Sequence, residues 1–194
     1  CIPYPTALTA DYNQIITWQA PAEINVSAYF QVEVNNKSVF VYDSPIASYA
    51  MFDFEGTAEI TIKAARDVKW VDIRPKSLEI KAEFQDSLIH FTLTKPCKLS
   101  IELNGEFLNQ PLFVFAGEPE KNVPDRKNPD VIWFEGARVH KPGIIEVKDG
   151  QTVYIAGGAV VEGIIHAENA SNIKILGRGI LDGTTYNEIR GETR

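Results

Sequence analysis

The sequence predicts an all-β protein, and three of its features lead to this fold class. Short alternations of apolar and polar residues, separated by turn signals, recur over residues 12–116. A segment rich in proline and charge follows at 117–130, and a motif with a period near twenty residues then recurs over 131–183. Regularly spaced short strands are typical of a β-sandwich, whereas a repeat of this period is typical of a β-solenoid.

Composition and charge exclude several classes of partner. The chain has 194 residues, a net charge of −7 at pH 7, and 44% hydrophobic residues, which is enough for a sizeable core. The acidic balance argues against a nucleic-acid partner, because binding to phosphates needs clustered Lys and Arg. No apolar run reaches the length of a membrane span, so none is predicted. We expect that a signal peptide was either removed or never present.

The strands of the first region can be placed from their alternation. The predicted strands are 15–18, 30–34, 39–41, 60–63, 71–74, 88–93, 99–103 and 111–115. The turn at 35–37 predicts a hairpin whose return strand carries Val39 and Val41, and Asn104-Gly105 predicts a type I′ hairpin turn. No window has a sustained helical period, so we expect at most a single helical turn.

The change of composition predicts the domain organisation. Val123 is the only apolar side chain within 119–130, so this segment is predicted to be an exposed linker. The expected organisation is a β-sandwich domain at 1–118, the linker at 119–130, and the start of a parallel β-helix of about three coils at 131–194.

Two copies of the repeat, 153–163 and 173–183, align at an offset of twenty residues. Apolar, glycine and acidic positions coincide at Val153/Ile173, Ile155/Ile175, Gly157/Gly177, Val160/Ile180, Val161/Leu181, Glu162/Asp182 and Gly163/Gly183. A weaker copy at 132–139 precedes them at an offset of twenty-one, and 143–147 matches the residues from 163 onward at an offset of twenty. Stacked copies would pair their backbones and build an apolar column, with glycines at corners that need a positive φ. The adjacent pairs at 160–161 and 180–181 are expected to point inward together at a bend.

The motifs within these copies resemble a known enzyme family. Residues 149–163 (DGQTVYIAGGAVVEG) resemble the opening coil of the pectin-lyase-like β-helix glycoside hydrolases, and residues 172–183 (NIKILGRGILDG) resemble their second coil, where G-x-G-x-[IL]-D-G recurs. The families meant are the polygalacturonases of family 28 and the dextranases and isopullulanases of family 49. Family 49 also places an immunoglobulin-like β-sandwich before the β-helix, and residues 111–116 and 139–143 are similar to its domain junction.

The resemblance implies a fold and an activity. It implies an immunoglobulin-like β-sandwich followed by the first coils of a right-handed parallel β-helix. It further implies a bacterial polysaccharide hydrolase that is secreted, periplasmic or at the cell surface, and that uses two carboxyl groups to cleave with inversion. In these families the acids lie on middle coils, in motifs such as N-x-D, D-D and G-H-G, which this sequence does not reach. We therefore predict no catalytic, cofactor-binding or metal-binding residue, a catalytically silent chain, and a polysaccharide as substrate of the parent protein.

A second hypothesis is a non-catalytic carbohydrate-binding or adhesion module whose short β-helix is complete. A complete solenoid needs a cap over its last apolar rung, and Tyr186 and Ile189 are the only apolar side chains in the tail at 184–194 that could supply one. If the parent continues, its open end exposes strand edges. We then expect another chain or the folded tail to cover this end, with self-association as one outcome. The length of the reading frame beyond Arg194 discriminates between the hypotheses.

Several residues allow a functional and a structural interpretation. Asp182 lies in an enzyme-like motif, but Glu162 holds the same position one coil earlier, which favours a corner role for both. Trp18, Trp70 and Trp133 could stack on sugar rings, yet tryptophans in small β domains more often pack in cores or between domains.

The histidines and a glycine motif are equally open to two interpretations. His140 and His166 could be acid–base groups, but the sparse carboxylates around them favour surface or corner roles. Gly177-Arg178-Gly179 matches part of a dinucleotide fingerprint, but no third glycine and no helix follow, so these glycines are interpreted as corners. Asn169-Ala170-Ser171 fits the short acceptor pattern for N-glycosylation, which is a weak signal.

The two cysteines, Cys1 and Cys97, leave the N-terminus open to two interpretations. Together with scattered histidines they do not make a metal site, and a disulfide between them is not favoured. Cys1 is either the first residue after a cleavage or the lipid-anchored cysteine of a mature bacterial lipoprotein. Pro3 and Pro5 favour plain cleavage, because lipidated termini usually lead into a tether rich in Ser and Gly.

Overall fold

The computed structural model describes residues 13–106 and 109–184. These residues form seventeen β-strands and one 3-10 turn, Lys76–Leu78, so the all-β class is confirmed. The strands are β1 (Gln14–Ile16), β2 (Phe30–Val34), β3 (Lys37–Val39), β4 (Val41–Asp43), β5 (Ser48–Glu55), β6 (Ala58–Ala64), β7 (Val71–Arg74), β8 (Glu83–Gln85), β9 (Leu88–Leu93), β10 (Cys97–Leu103), β11 (Leu112–Gly117), β12 (Val131–Phe134), β13 (Val139–Glu146), β14 (Thr152–Ile155), β15 (Val160–His166), β16 (Lys174–Gly177) and β17 (Ile180–Asp182). Within this part of the chain, no helix has the length and apolar character to cross a membrane.

Two sheets make up residues 13–117, which we call the two-sheet region. The first has the strand order β1-β5-β11-β10-β7 with β4 also paired to β5, and the second has the order β3-β2-β6-β9-β8. Their facing sides share one core, whose largest fully buried side chains are Phe52, Phe54, Ile60, Ile62, Ile89, Ile101, Leu103 and Leu112. The alternation predicted for β2, β9 and β10 is confirmed by their burial. Each such side chain contributes about 1.5–3 kcal/mol when it is buried, so the alternation decides which faces meet.

The hairpin predicted around residue 36 is present but shorter than expected. Asn35 and Asn36 both have a positive φ, and β2 pairs with β3 as far as Val39. Val41, expected on the same return strand, instead begins β4 and pairs with Ala50 in the other sheet. The chain therefore crosses between the sheets at Phe40, and the two valines reach the shared core from opposite sides.

The central strand β5 was not predicted from the sequence. Ala50, Phe52 and Phe54 point into the core, while Tyr49, Met51 and Asp53 lie on the opposite face and are also largely covered. A strand that is covered on both faces shows no apolar–polar alternation. The short strands β4 and β8 were also missed.

The Asn104-Gly105 turn forms, but it does not close a two-residue hairpin. Asn104 and Gly105 both have a positive φ, and the Glu106 amide donates to the Leu103 carbonyl at 3.0 Å. However, β10 pairs with β11 only as far as Ile101 with Leu112, so the connection is longer than predicted. The Asn104 side chain accounts for this difference, because it forms its hydrogen bonds with the neighbouring segment 67–70. Its Oδ1 accepts from the Lys69 and Trp70 amides at 2.8 and 3.2 Å, and its Nδ2 donates to the Asp67 carbonyl at 3.0 Å.

Replacing Asn104 with alanine is expected to loosen this connection. Three side-chain hydrogen bonds are lost at an exposed site, and an alanine is strained at the positive φ of this position. Together these changes are expected to lower the free energy of unfolding by about 1–3 kcal/mol. Urea denaturation followed by tryptophan fluorescence measures the change. The variant Asn104→Gly, which keeps the backbone geometry, separates the hydrogen bonds from the strain.

Residues 131–184, which we call the coil region, form two three-stranded parallel sheets. Their orders are β12-β14-β16 and β13-β15-β17, so each coil adds one strand to each sheet. Ile132 pairs with Val153, and Gly143 pairs with Gly163, which confirms the predicted offsets of twenty-one and twenty. A β-bulge between His140 and Gly143 absorbs the one-residue difference.

The offset of twenty between the two clearest copies holds in only one of these sheets. Val160 pairs with Ile180 and Glu162 with Asp182, as predicted. In the other sheet Val153 pairs with Ile175, and Ile155 pairs with Gly177, so the offset there is twenty-two. The predicted equivalence of Gly157 with Gly177 is therefore wrong. The second coil turns through residues 156–159, whereas the third turns through 178–179 alone.

The expectation that Val160 and Val161 both point inward is also wrong. Val161 is fully buried in the core of the coil region, together with Val153 and Ile155. Val160 points to the other side, where it packs with Tyr42 in a separate cluster. Strict alternation is thus kept, and both faces of this strand are apolar because both are covered.

Candidate functional site

The coil region packs on the outer face of the six-stranded sheet. Val139, Val160 and Ile180 form a register-matched ladder on the outside of their sheet. This ladder packs on an apolar surface that includes Tyr42 and Tyr49. These two rings stack with centroids 5.1 Å apart, and burial raises the pKa of Tyr42 to about 12. The contact is therefore a second core between the two regions.

An open groove of about 390 Å³ lies where the third coil meets the sheet. Its lining combines aromatic and apolar side chains, glycines and three charged groups, namely Trp18, Met51, Asp53, Lys98, Phe115, Ala116, Gly117, Gly177, Arg178 and Gly179. A concave site with few polar groups is the usual form of a binding pocket, so its chemistry decides what it can do.

Asp53 and Arg178 join the two regions beside this groove. Asp53 projects from the outer face of β5 and is 2% exposed. Arg178 Nε lies 3.0 Å from both of its carboxylate oxygens, and Arg178 Nη2 donates to the Glu118 carbonyl at 2.8 Å. Burial raises the pKa of Asp53, although the hydrogen bond and charge of Arg178 oppose this shift. A single arginine thus binds both the sheet and Glu118, the residue that precedes the linker.

Three glycines make room for this contact. A Cβ at Gly117 would overlap the Asp53 carboxylate, and a Cβ at Gly177 would overlap the Ile155 carbonyl oxygen. Gly179 is equally constrained, and its amide donates to the same Ile155 carbonyl at 2.9 Å. The close approach of the third coil to the second, which shortens its turn, thus depends on residues without side chains.

A second link joins the linker to the coils. Tyr154 Oη donates to Glu120 Oε2 at 3.0 Å, and the Tyr154 ring stacks on Trp133 with centroids 4.2 Å apart. Residues 119–130 are mostly exposed, but Glu120 is half-buried in this contact. Burial and then the hydrogen bond to Glu120 raise the pKa of Tyr154 to about 12.

This pKa gives a testable pH dependence. A phenol whose pKa rises from about 10 in the unfolded chain to about 12 in the fold stabilises the fold fully below pH 10. That contribution is lost as the pH rises toward 12. In an ultraviolet absorbance titration, Tyr154→Phe should remove one phenol from the group that titrates near pH 12. Glu120→Gln should move that phenol to lower pH, and an unchanged titration curve in both variants would contradict the assignment.

The three tryptophans have different environments. A Cβ at Gly157 would overlap the Trp18 ring, so Trp18 packs directly on the turn of the second coil and lines the groove. Trp133 stacks on Tyr154, as the packing interpretation expected. Trp70 is 53% exposed and lies against Gly105, so the packing interpretation does not describe it.

The acidic candidates of the coil region make local contacts. Asp182 Oδ1 accepts from the Thr184 amide at 2.9 Å and from the Thr184 hydroxyl at 2.6 Å, which is a strand-end contact. Glu162 pairs with Lys141 at 3.0 Å on the surface. These contacts agree with the structural interpretation of both acids.

The two histidines are held by single partners. His140 Nε2 lies 2.8 Å from the Glu135 carbonyl oxygen, and exposed His166 lies 2.9 Å from the Glu146 carboxylate. The hydrogen bond to Glu146 raises the pKa of His166. Across residues 13–106 and 109–184, no group of three His, Cys, Asp or Glu side chains is placed to hold a metal ion.

The remaining predictions concern both termini. Cys97 is half-buried and forms no disulfide within the described residues, and burial raises the pKa of its thiol. Cys1, Tyr186 and Ile189 lie outside the described residues, so the predictions that involve them stay predictions.

Among the residues that the structure describes, the groove is not lined by the acid pair of a glycoside hydrolase. Asp53 is the carboxylate among its lining residues, and Arg178 engages both oxygens of that carboxylate. Hydrolysis of a glycosidic bond needs one carboxyl group as acid and a second as base or nucleophile. The arrangement therefore joins two regions and does not supply this chemistry. Asp53 is not among the candidates predicted from the sequence, where its only signal is a charge inside an apolar run.

Comparison with known proteins identifies a structural relative. No family model matches the sequence, and no curated protein matches it. Among solved structures, Dex49A from Penicillium minioluteum, a dextranase, matches with a TM-score of 0.59 and 16% sequence identity. This chain and Dex49A have similar folds over the matched residues. The match covers 87% of this chain and 50% of Dex49A, so the chain spans about half the length of that protein.

Proposed function

We propose that this chain is the N-terminal part of a polysaccharide-degrading glycoside hydrolase of the dextranase or polygalacturonase type. The observation that supports the proposal is the match to Dex49A, because it extends over 87% of the chain and so includes both the two-sheet region and the coil region. The coil motifs at 149–163 and 172–183 point to the same class of enzyme from the sequence alone.

The architecture we propose has two domains. Residues 1–118 form an immunoglobulin-like β-sandwich, 119–130 a linker, and 131–194 the opening coils of a right-handed parallel β-helix. The shared core of the two sheets supports the sandwich, and the coil-by-coil parallel register supports the β-helix.

The catalytic carboxyl groups are proposed to lie on later coils of a longer parent, which is secreted and cleaves with inversion. Two observations support this placement. The groove's carboxylate is already paired with Arg178. The third coil exposes apolar side chains on its outermost strands, with Ile175 58% and Leu181 41% exposed. A coil with exposed apolar side chains on its outer strands can pack against a further coil.

The test compares this chain with a longer product of the same gene, on dextran and on polygalacturonate. The longer product should release reducing ends from one of the two polymers, and the 194-residue chain from neither. NMR of the first product should show an inverted anomeric configuration. Hydrolysis by the short chain would contradict the silence of these coils. A longer product that is inactive on both polymers would contradict the proposed substrates.

A further inference from the structure

The coils advance across the six-stranded sheet in the order of its strands. The turn of the second coil lies against Trp18, just after β1, through Gly157. The turn of the third coil reaches Asp53 on β5 through Arg178, and it lies beside Gly117 at the end of β11. Since the sheet order begins β1-β5-β11, the third coil contacts the sheet one or two strands further along than the second.

The spacing of the two structures allows this progression to continue. Neighbouring strands lie about 4.7–4.9 Å apart in any β-sheet, so one coil adds the same distance to β13-β15-β17 that one strand adds to the six-stranded sheet. The ladder of Val139, Val160 and Ile180 supplies an apolar residue at the same place in each coil. The ladder residue of a further coil would therefore lie opposite the next strand of the six-stranded sheet, because the two spacings are equal.

The next strand, β11, offers a partly uncovered aromatic surface. Along one row of the outer face the paired residues are Tyr42, Tyr49, Phe113, Ser100 and Arg74. Tyr42 is 3% exposed, the next three are half-buried, and Arg74 is exposed.

The neighbouring row shows the same gradient. There Met51 pairs with Phe115, which pairs with Lys98. Met51 is half-buried, Phe115 is 38% exposed and Lys98 is exposed. In this row coverage thus decreases at β11, while Phe113 of the first row, also on β11, is half-buried.

We propose that this surface, formed by Phe113, Phe115 and Lys98, is the docking site of a fourth coil made by the polypeptide that follows Thr184. The occupant packs its ladder residue on the β11 aromatics, as Ile180 packs in the cluster with Tyr49 and Met51. Continuity with the existing interface identifies this occupant. Successive coils then contact successive strands of the six-stranded sheet, which fixes their positions. The inference rests on the proposed function only in requiring a longer parent chain.

Acetylation of lysines, followed by mass spectrometry, tests the docking. Lys98 is the probe, and exposed Lys63, on the outer face of the opposite sheet, is the matched control. In the 194-residue chain both should react at similar rates. In a longer product of the same gene, Lys98 should react at least about tenfold more slowly than Lys63. Because labelling does not depend on activity, a protected Lys98 in an inactive product supports docking even where the proposed function fails.

A pair of substitutions gives a second readout. Phe115→Ser should lower the melting temperature of the longer product by more than that of the 194-residue chain, because only the longer product loses the docking contact. Phe84→Ser, at a similarly exposed phenylalanine on β8, should change the melting temperatures of the longer product and of the short chain by similar amounts. Equal labelling of the two lysines in the longer product overturns the proposal, as does a reading frame that closes after Arg194. Concentration-dependent protection of Lys98 in the short chain also overturns it, because the occupant is then a second copy.

Discussion

Replacing Gly177 with alanine is expected to detach the third coil from the second. Gly177 has a φ of +112°, which side chains rarely adopt. An added Cβ would overlap the Ile155 carbonyl oxygen and lie 2.6 Å from its carbonyl carbon. Backbone strain and overpacking together should lower the free energy of unfolding by about 3–5 kcal/mol.

Hydrogen exchange locates this effect, because two amides report the contact directly. The Gly179 amide donates to the Ile155 carbonyl and the Ile180 amide to the Ala159 carbonyl, both at 2.9 Å. Both amides should lose protection in Gly177→Ala, while amides of the two-sheet core keep theirs. Gly183→Ala is the matched control, because its Cβ would lie 3.7 Å from the nearest atom, an ordinary contact. Equal protection in the two variants would contradict the role of Gly177.

The repeat was visible in the sequence because stacking imposes one residue type on one place in every coil. Val139, Val160 and Ile180 illustrate this, since all three occupy the same ladder position. In the other sheet, however, the predicted offset of twenty was wrong, because Ile155 pairs with Gly177 at an offset of twenty-two. Glycine–glycine matching gave a false alignment, because the two glycines are required for different contacts. Gly157 makes room for the Trp18 ring, whereas Gly177 makes room for the Ile155 carbonyl of the preceding coil.

The other wrong predictions concern strands that are covered on both faces. In β5 and at Val160-Val161 the side chains alternate in direction but not in polarity, because each strand is covered on both faces. A single sequence does not distinguish such a strand from a bend. The sequence showed which residues are apolar, whereas which core each residue enters depends on contacts distant in the chain. The Asp53–Arg178 contact spans 125 residues and leaves no local pattern.

Replacing Asp53 with alanine is expected to weaken the junction between the two regions. The loss of a buried ion-pair partner typically costs about 3–5 kcal/mol. Because the Arg178 side chain is 34% exposed, water can solvate part of its charge, so a loss of about 2–3 kcal/mol is expected. Urea denaturation measures it. Lys121→Ala, which removes an ion pair with Glu118 in which both side chains are mostly exposed, is the control and should have no measurable effect.

The reciprocal variant, Arg178→Ala, should show a characteristic pH dependence. Burial already raises the pKa of Asp53, and loss of Arg178 removes the influences that oppose this shift. A carboxyl whose pKa is higher in the fold than in the unfolded chain favours folding when it is protonated. The stability deficit of Arg178→Ala relative to the unmodified chain should therefore shrink as the pH falls from 7 toward the raised pKa of Asp53. In Asp53→Ala/Arg178→Ala this pH dependence should vanish, because the titrating group is absent. A deficit that stays constant with pH in Arg178→Ala would show that Asp53 is solvated once its partner is lost, and that the arginine does not hold a buried charge at the junction.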